Sequence, residues 1–220
     1  MPDLSPADLA DALAAGIDAE EQRLRLEQAV HGLDALNEVA LHAHLRTALE
    51  AAGYGVHAEQ RYPRDRTIRR RSEGDRCDLV VTADRASLRQ PDREPTLFDP
   101  SDAVDLEAAY WLEVKTANQF LPEGPNARYA AEFVRPPRGD VLKLARDPRI
   151  RQAGLLLVVF AADQAVAERD LRWWEEQALR RGLPIGAAYR RSIRLLDRIG
   201  NRACVLALHP VARAAAESPD

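Results

Sequence analysis

The chain holds only two lysines, although Lys and Arg together number 31. One of them, Lys115, closes the tripeptide Glu113-Val114-Lys115 within a strand-like run. Where positive charge is otherwise written as Arg, a lysine two residues after a glutamate marks a position that calls for a compact ammonium rather than a planar guanidinium. A period of two places Trp111, Glu113 and Lys115 on one strand face and Leu112 and Val114 on the other. A carboxylate and an amine therefore project side by side from a rigid support. Upstream, Arg76-Cys77-Asp78-Leu79-Val80-Val81-Thr82 reads as a buried strand led by Asp78. Glu38 falls in a predicted helix whose apolar positions Leu33, Leu36, Leu41, Leu45 and Leu49 keep roughly helical spacing. Grouped carboxylates can hold Mg²⁺ through hard oxygen ligands and leave coordination positions for water and a phosphate. The cation lowers the pKa of bound water and neutralises charge on the phosphate. A neighbouring ammonium can orient that water or stabilise the transition state.

A helical Glu, a strand Asp and Glu-x-Lys on the next strand together resemble the PD-(D/E)XK phosphodiesterase superfamily, the restriction-endonuclease-like nucleases, from Glu38 to about Phe160. The fold expected from this resemblance is α/β, a restriction-endonuclease-like core with a mixed sheet of about five strands flanked by helices. By resemblance Glu38, Asp78, Glu113 and Lys115 form the catalytic set. Asp78 and Glu113 would be the main ligands of Mg²⁺ or Mn²⁺, Glu38 an auxiliary ligand acting through water, and Lys115 the catalytic amine. His42, four residues after Glu38, is expected to touch and orient Glu38 rather than bind the metal. Two departures stand out. Cys77 occupies the place of the family's Pro, which is not a ligand, and the acids are 113 − 78 = 35 residues apart, long for neighbouring strands. Pro91, Pro95 and Pro100 with Asp92, Asp99, Asp102 and Asp105 make the interval read as an inserted loop at about 84–108.

The expected activity is that of a Mg-dependent nucleic-acid phosphodiesterase, a DNA endonuclease of a bacterial defence, restriction or repair system. The alternatives are a catalytically silent nucleic-acid-binding or assembly subunit with the same fold, or an RNA-directed nuclease. DNA is favoured over RNA as the partner, with a homodimer or a partner protein supplying specificity. Crowded acids predict that losing Asp78 or Lys115 abolishes cleavage while leaving folding intact.

The formal net charge is −4, but positive charge is clustered. Seven arginines stand between Arg61 and Arg76 against Asp65, Glu73 and Asp75. Arg69, Arg70, Arg71 and Arg76 are expected to feed a nucleic-acid backbone towards Asp78, with Arg135, Arg138 and Lys143 beside the cleft. Arg128 lies in the same irregular stretch. Arg180, Arg181, Arg190, Arg191, Arg194, Arg198 and Arg202 form a second cluster able to neutralise phosphates. With 46% hydrophobic and 30% charged residues, the chain reads as soluble, cytoplasmic and not membrane-bound. Cys77 and Cys204 are expected as buried reduced thiols. No Gly-rich phosphate loop and no Gly-x-Ser-x-Gly elbow is present, which leaves nucleotide-triphosphate hydrolysis and serine-esterase chemistry without support.

The supporting elements follow from the pattern. An N-terminal extension, 1–32, is expected to hold two helices, one capped by Ser5 and stopped at Gly16, the next from about Asp18 to Val30, ahead of a nuclease-like domain over 33–220. Strands are predicted at Tyr54–Tyr62, Asp78–Ala83, Ala109–Thr116 and Leu155–Ala161, the last buried on both faces. Asn118–Gly139 reads as irregular, with Asp140 capping a short helix. A helix over Glu168–Arg181 stops at Gly182, and a hairpin closes the chain across Gly200-Asn201.

Overall fold

A computed structural model describes residues 4–67, 75–89, 103–196 and 200–213 of the chain. Its helices are α1 (Pro6–Leu26), α2 (Glu38–Ala51), α3 (Tyr129–Val134), α4 (Pro136–Arg146) and α5 (Gln164–Arg180). The strands are β1 (Gly55–Arg61), β2 (Arg76–Thr82), β3 (Tyr110–Asn118), the short pair β4 (Phe120–Leu121) and β5 (Gly124–Pro125), β6 (Gln152–Ala161), β7 (Tyr189–Arg194) and β8 (Ala203–Pro210). Among the described residues the fold is α/β, with a mixed six-stranded sheet in the order β1-β2-β3-β6-β8-β7. The β3–β6 pair is parallel, and every other neighbouring pair is antiparallel. Six strands replace the five expected because both arms of the C-terminal hairpin join the one sheet.

The sheet divides two apolar layers. Trp111, Leu155, Leu157 and Val159 pack with Val141, Leu144, Leu171 and Trp174, on the side of α4 and α5. Leu112, Val114, Leu156 and Val158 pack with Leu9, Leu13, Ile17, Leu41 and Leu45, on the side of α1 and α2. Alternation along β3 and β6 thus feeds both layers, as a strand covered on both faces requires. β2 pairs directly with β3, so the strands that carry Asp78 and Glu113 are neighbours in the sheet. The ends of the long connection are tied by a bridge between Leu88 and Val104, while 90–102 lie outside the described residues.

The N-terminal expectation needs correction. α1 runs through Gly16 as one helix instead of two and ends at Leu26. Its Ser5 cap accepts from the Asp8 amide as the pattern predicts. Gly16 is not a stop but a contact: a Cβ there would lie 2.1 Å from the Ala48 Cβ, so its bare backbone lets α2 approach. Gly16→Ala is expected to destabilise the protein by about 1–3 kcal/mol despite improved helix propensity, because overpacking outweighs the propensity gain. Chemical denaturation checks this, and an unchanged midpoint would mean that the two helices can part at no cost.

Two more boundaries differ. α2 begins at Glu38, capped by the Asn37 side chain, while Leu33 belongs to a separate single turn over Leu33–Ala35. Glu38 is therefore in the first turn of its helix rather than within it. α4 begins at Pro136, whose fixed φ suits a first helical position, so Asp140 sits inside this helix and is not its cap. The predicted stop at Gly182 holds, with φ +66. Cys77 and Cys204 are buried free thiols.

Candidate metal and phosphodiester site

The site opens where β2 and β3 part. Their ladder pairs Val81 with Tyr110, Val80 with Trp111 and Leu79 with Leu112, and then ends. Past that point the Val114 amide donates to Asp78 Oδ2 at 2.8 Å, so a side chain takes the place of a strand partner and fixes the Asp78 carboxylate. β3 continues on its other edge against β6 to Asn118, which keeps Glu113 and Lys115 on a rigid strand.

From the open edge Lys115 reaches both layers. Its Nζ donates to Glu38 Oε1 at 2.8 Å, on α2, and to the Val114 carbonyl at 2.9 Å. It also lies 3.5 Å from Asp140 Oδ2, on α4, and 3.9 Å from Asp78 Oδ2. Burial pulls the ammonium's pKa down, but the Glu38 hydrogen bond and the charges of Asp78, Asp140 and Glu38 outweigh it and hold the pKa above the usual value.

Glu113 is 2% exposed and accepts a hydrogen bond from the Tyr62 hydroxyl at 2.5 Å. Burial pushes its carboxyl well above the usual range, and the charges of Asp78 and Asp140 and a hydrogen bond with Asp78 push it further, against the opposing effect of Tyr62. Without a cation this carboxyl favours its protonated form. Tyr62 is itself fully buried and stacks near Trp111, with ring centroids 5.6 Å apart.

One side of the site can take a cation. Ligand atoms of Glu38, His42 and Asp78 all lie within 4.8 Å of one another. His42 Nε2 is buried and makes no hydrogen bond. His42 therefore stands among the possible ligands themselves, and no hydrogen bond from its buried Nε2 orients Glu38. Their spacing explains this, since residues four apart in a helix share a face. His44 points elsewhere, 3.6 Å from Glu20 on α1.

The structure brings Glu38, His42, Asp78, Glu113 and Lys115 together and adds Tyr62 and Asp140. Asp140 is 5% exposed, and its Oδ1 accepts from Lys143 Nζ at 2.9 Å, so Lys143 is tied to the site through this residue. Arg135 and Arg138 are exposed at the start of α4. Arg76 is exposed on β2, where it donates to the Glu59 carbonyl at 2.9 Å. The expected phosphate contacts Arg69, Arg70 and Arg71 lie outside the described residues. In the second arginine cluster, Arg190 is held by Glu168 and Glu175 and Arg191 by Asp11, so internal carboxylates already neutralise both. Among the described residues no helix is long and apolar enough to cross a membrane.

Comparison of the chain with protein-family models, with curated proteins and with solved structures finds no match.

Proposed function

We propose that the protein is a metal-dependent nucleic-acid phosphodiesterase with a restriction-endonuclease-like core, acting on DNA. The observation that carries this reading is the convergence of Glu38, His42 and Asp78 within 4.8 Å of one another, beside the buried Glu113 and the ammonium of Lys115, at the open edge of β2 and β3. An ordinary structural ion pair requires one carboxylate and one cation. Here carboxylates outnumber the cations facing them, one carboxyl is driven towards protonation, and an imidazole nitrogen is left without a partner. Each of these features fits a place for a divalent cation.

Glu38, His42 and Asp78 would hold the ion, with Glu113 joining once deprotonated. The bound cation would supply Lewis acidity towards the phosphate and a lowered pKa for water. Asp78 is pre-set for this by the Val114 amide, which fixes its carboxylate before any ligand arrives. Lys115 is held on β3, where its ammonium can contact a phosphate oxygen or an attacking water. The exposed Arg76, Arg135 and Arg138 can contact the flanking backbone, which predicts affinity that falls with salt.

The experiment is a panel of DNA and RNA substrates incubated with the purified protein and Mg²⁺, Mn²⁺ or EDTA. Cleavage is expected with either cation and none with EDTA. A nitrogen ligand favours a transition metal, so Mn²⁺ should bind roughly tenfold more tightly than Mg²⁺, and His42→Gln should remove most of that difference. Cleavage that persists in EDTA would refute the metal reading. A protein that binds nucleic acid and cuts none of the panel would favour the silent binding subunit.

A further inference from the structure

The chain's two lysines, one on β3 and one on α4, address the two oxygens of a single carboxylate. Lys143 Nζ donates to Asp140 Oδ1 at 2.9 Å, and Lys115 Nζ stands 3.5 Å from Asp140 Oδ2. Asp140 is 5% exposed, and its Oδ2 is buried and accepts no hydrogen bond. All other basic side chains apart from the histidines are arginines. An ammonium spreads its three protons over acceptors in different directions, whereas a guanidinium offers its donors in one plane. Two of the Lys115 protons are taken by Glu38 and the Val114 carbonyl, at 2.8 and 2.9 Å. Asp140 Oδ2 is the nearest acceptor for the third, since Asp78 Oδ2 is farther off at 3.9 Å.

The three carboxylates around Lys115 differ in what else they can do. Glu38 and Asp78 belong to the group that can hold a cation, and Asp140 does not. Were Glu38 and Asp78 to turn to a metal, Lys115 would have a repelling dication as a neighbour and its bond to Glu38 would be weakened. Of the three carboxylates only Asp140 would then remain beside it, together with the Val114 carbonyl. Lys143 in turn fixes Asp140 from the more solvent-exposed side, its own side chain being 34% exposed.

We infer that Asp140 is a positioning residue that keeps Lys115 in place in the metal-loaded site, with Lys143 steadying Asp140. This rests on the proposed metal-dependent nuclease reading. In this arrangement α4 controls where the amine of β3 points, and the second lysine acts through the first instead of contacting the phosphate itself.

The test uses the intact chain with lysine labelled selectively with ¹³C at Cε, which gives two signals because the chain has two lysines. Mg²⁺ alone is the probe. In the wild type the Lys115 signal should shift on adding Mg²⁺, and its two Hε protons should stay inequivalent, as in a held side chain. In Asp140→Asn the metal-free signal should stay close to wild type, because Glu38 still holds Lys115. With Mg²⁺ the two Hε protons should merge into one averaged line. Mg²⁺ affinity and KM should stay within about threefold while kcat falls at least roughly thirtyfold, the split expected when orientation alone is lost.

Lys143→Met examines the same linkage without altering the buried carboxyl, and should lower kcat by about three- to tenfold with KM unchanged. An Asp140→Asn protein that keeps a held Lys115 signal in Mg²⁺ and a kcat within about threefold would overturn the role of Asp140 and leave the nuclease reading standing. If Asp140→Asn does not fold, an unaltered Lys115 signal and kcat in Lys143→Met would overturn it equally. A wild-type Lys115 signal that ignores Mg²⁺, with no cleavage, would remove the metal reading and this inference with it.

Discussion

Lys115→Met is expected to lower nucleic-acid cleavage by about 10³-fold, the scale on which one well-placed electrostatic donor acts. The same change should lower the stability of the metal-free protein by roughly 3 kcal/mol, since removing one partner of a buried ion cluster leaves the others uncompensated. Crowded acids alone would predict an unperturbed fold, but the contacts of Lys115 argue for the opposite expectation at this residue. Lys115 is the ammonium that Glu38, Asp78 and Asp140 all face, at 2.8, 3.9 and 3.5 Å. A bound divalent cation restores positive charge among the same carboxylates, so Mn²⁺ should raise the melting temperature of Lys115→Met more than that of the wild type. Melting curves in EDTA and in Mn²⁺ read this directly. Equal melting temperatures in EDTA would show that solvent and not Lys115 compensates the acids, and retained cleavage would exclude it from the reaction.

Glu113→Gln should have opposite effects on activity and stability. Cleavage should fall by at least about 10³-fold if Glu113 must ligate the cation, since an amide carries no charge to offer it. Stability in EDTA should rise above neutral pH by on the order of 2 kcal/mol, because the amide resembles the protonated acid that the buried site prefers. The sign follows from the raised pKa. Below the ordinary carboxyl value of 4.5 the group is protonated both folded and unfolded, and its full contribution to stability is present. From 4.5 upward the folded chain retains a proton that the unfolded chain has lost, so wild-type stability declines as pH rises through the elevated folded value. Glu113→Gln should flatten that decline and leave the two proteins alike near pH 4. A stability difference between the two proteins that does not widen as pH rises from 4.5 would contradict it.

What the sequence discloses depends on how local the cause is. Glu113, Lys115 and Asp78 are legible because strand alternation and residue type suffice to place them on a face. The strands themselves were legible for the same reason, above all the unbroken apolar run of β6. Gly16 misled because a glycine after a helical run reads as a stop, whereas here its bare backbone meets Ala48 on another helix. Pro136 and Pro137 read as breakers in a sequence, yet the first turn of a helix tolerates them. Asp140 then fell outside any predicted role except a cap. Tyr62 follows β1 and carries no motif, and its hydroxyl's bond to Glu113 brings it into the site. His42 offered one signal, its spacing from Glu38, but its nearness to Asp78 comes from another element and is not legible in the helix.

The parting of β2 from β3 has a consequence for biosynthesis. The hydrogen bonds that define the site join residues 36, 51 and 77 positions apart, and β3 finds its parallel partner only after the chain has passed through α3 and α4 to β6. Long closures of this kind form late, because the entropy of bringing distant segments together must be overcome before their contacts stabilise anything. In a chain still emerging from the ribosome, with β6 unmade, β3 lacks its parallel partner, and the segments that carry the site are not yet fixed against one another. Such a chain can neither concentrate a cation nor aim an amine. Under the nuclease reading, hydrolytic competence would appear only with the completed sheet, so nearby DNA would be spared by nascent copies of the protein.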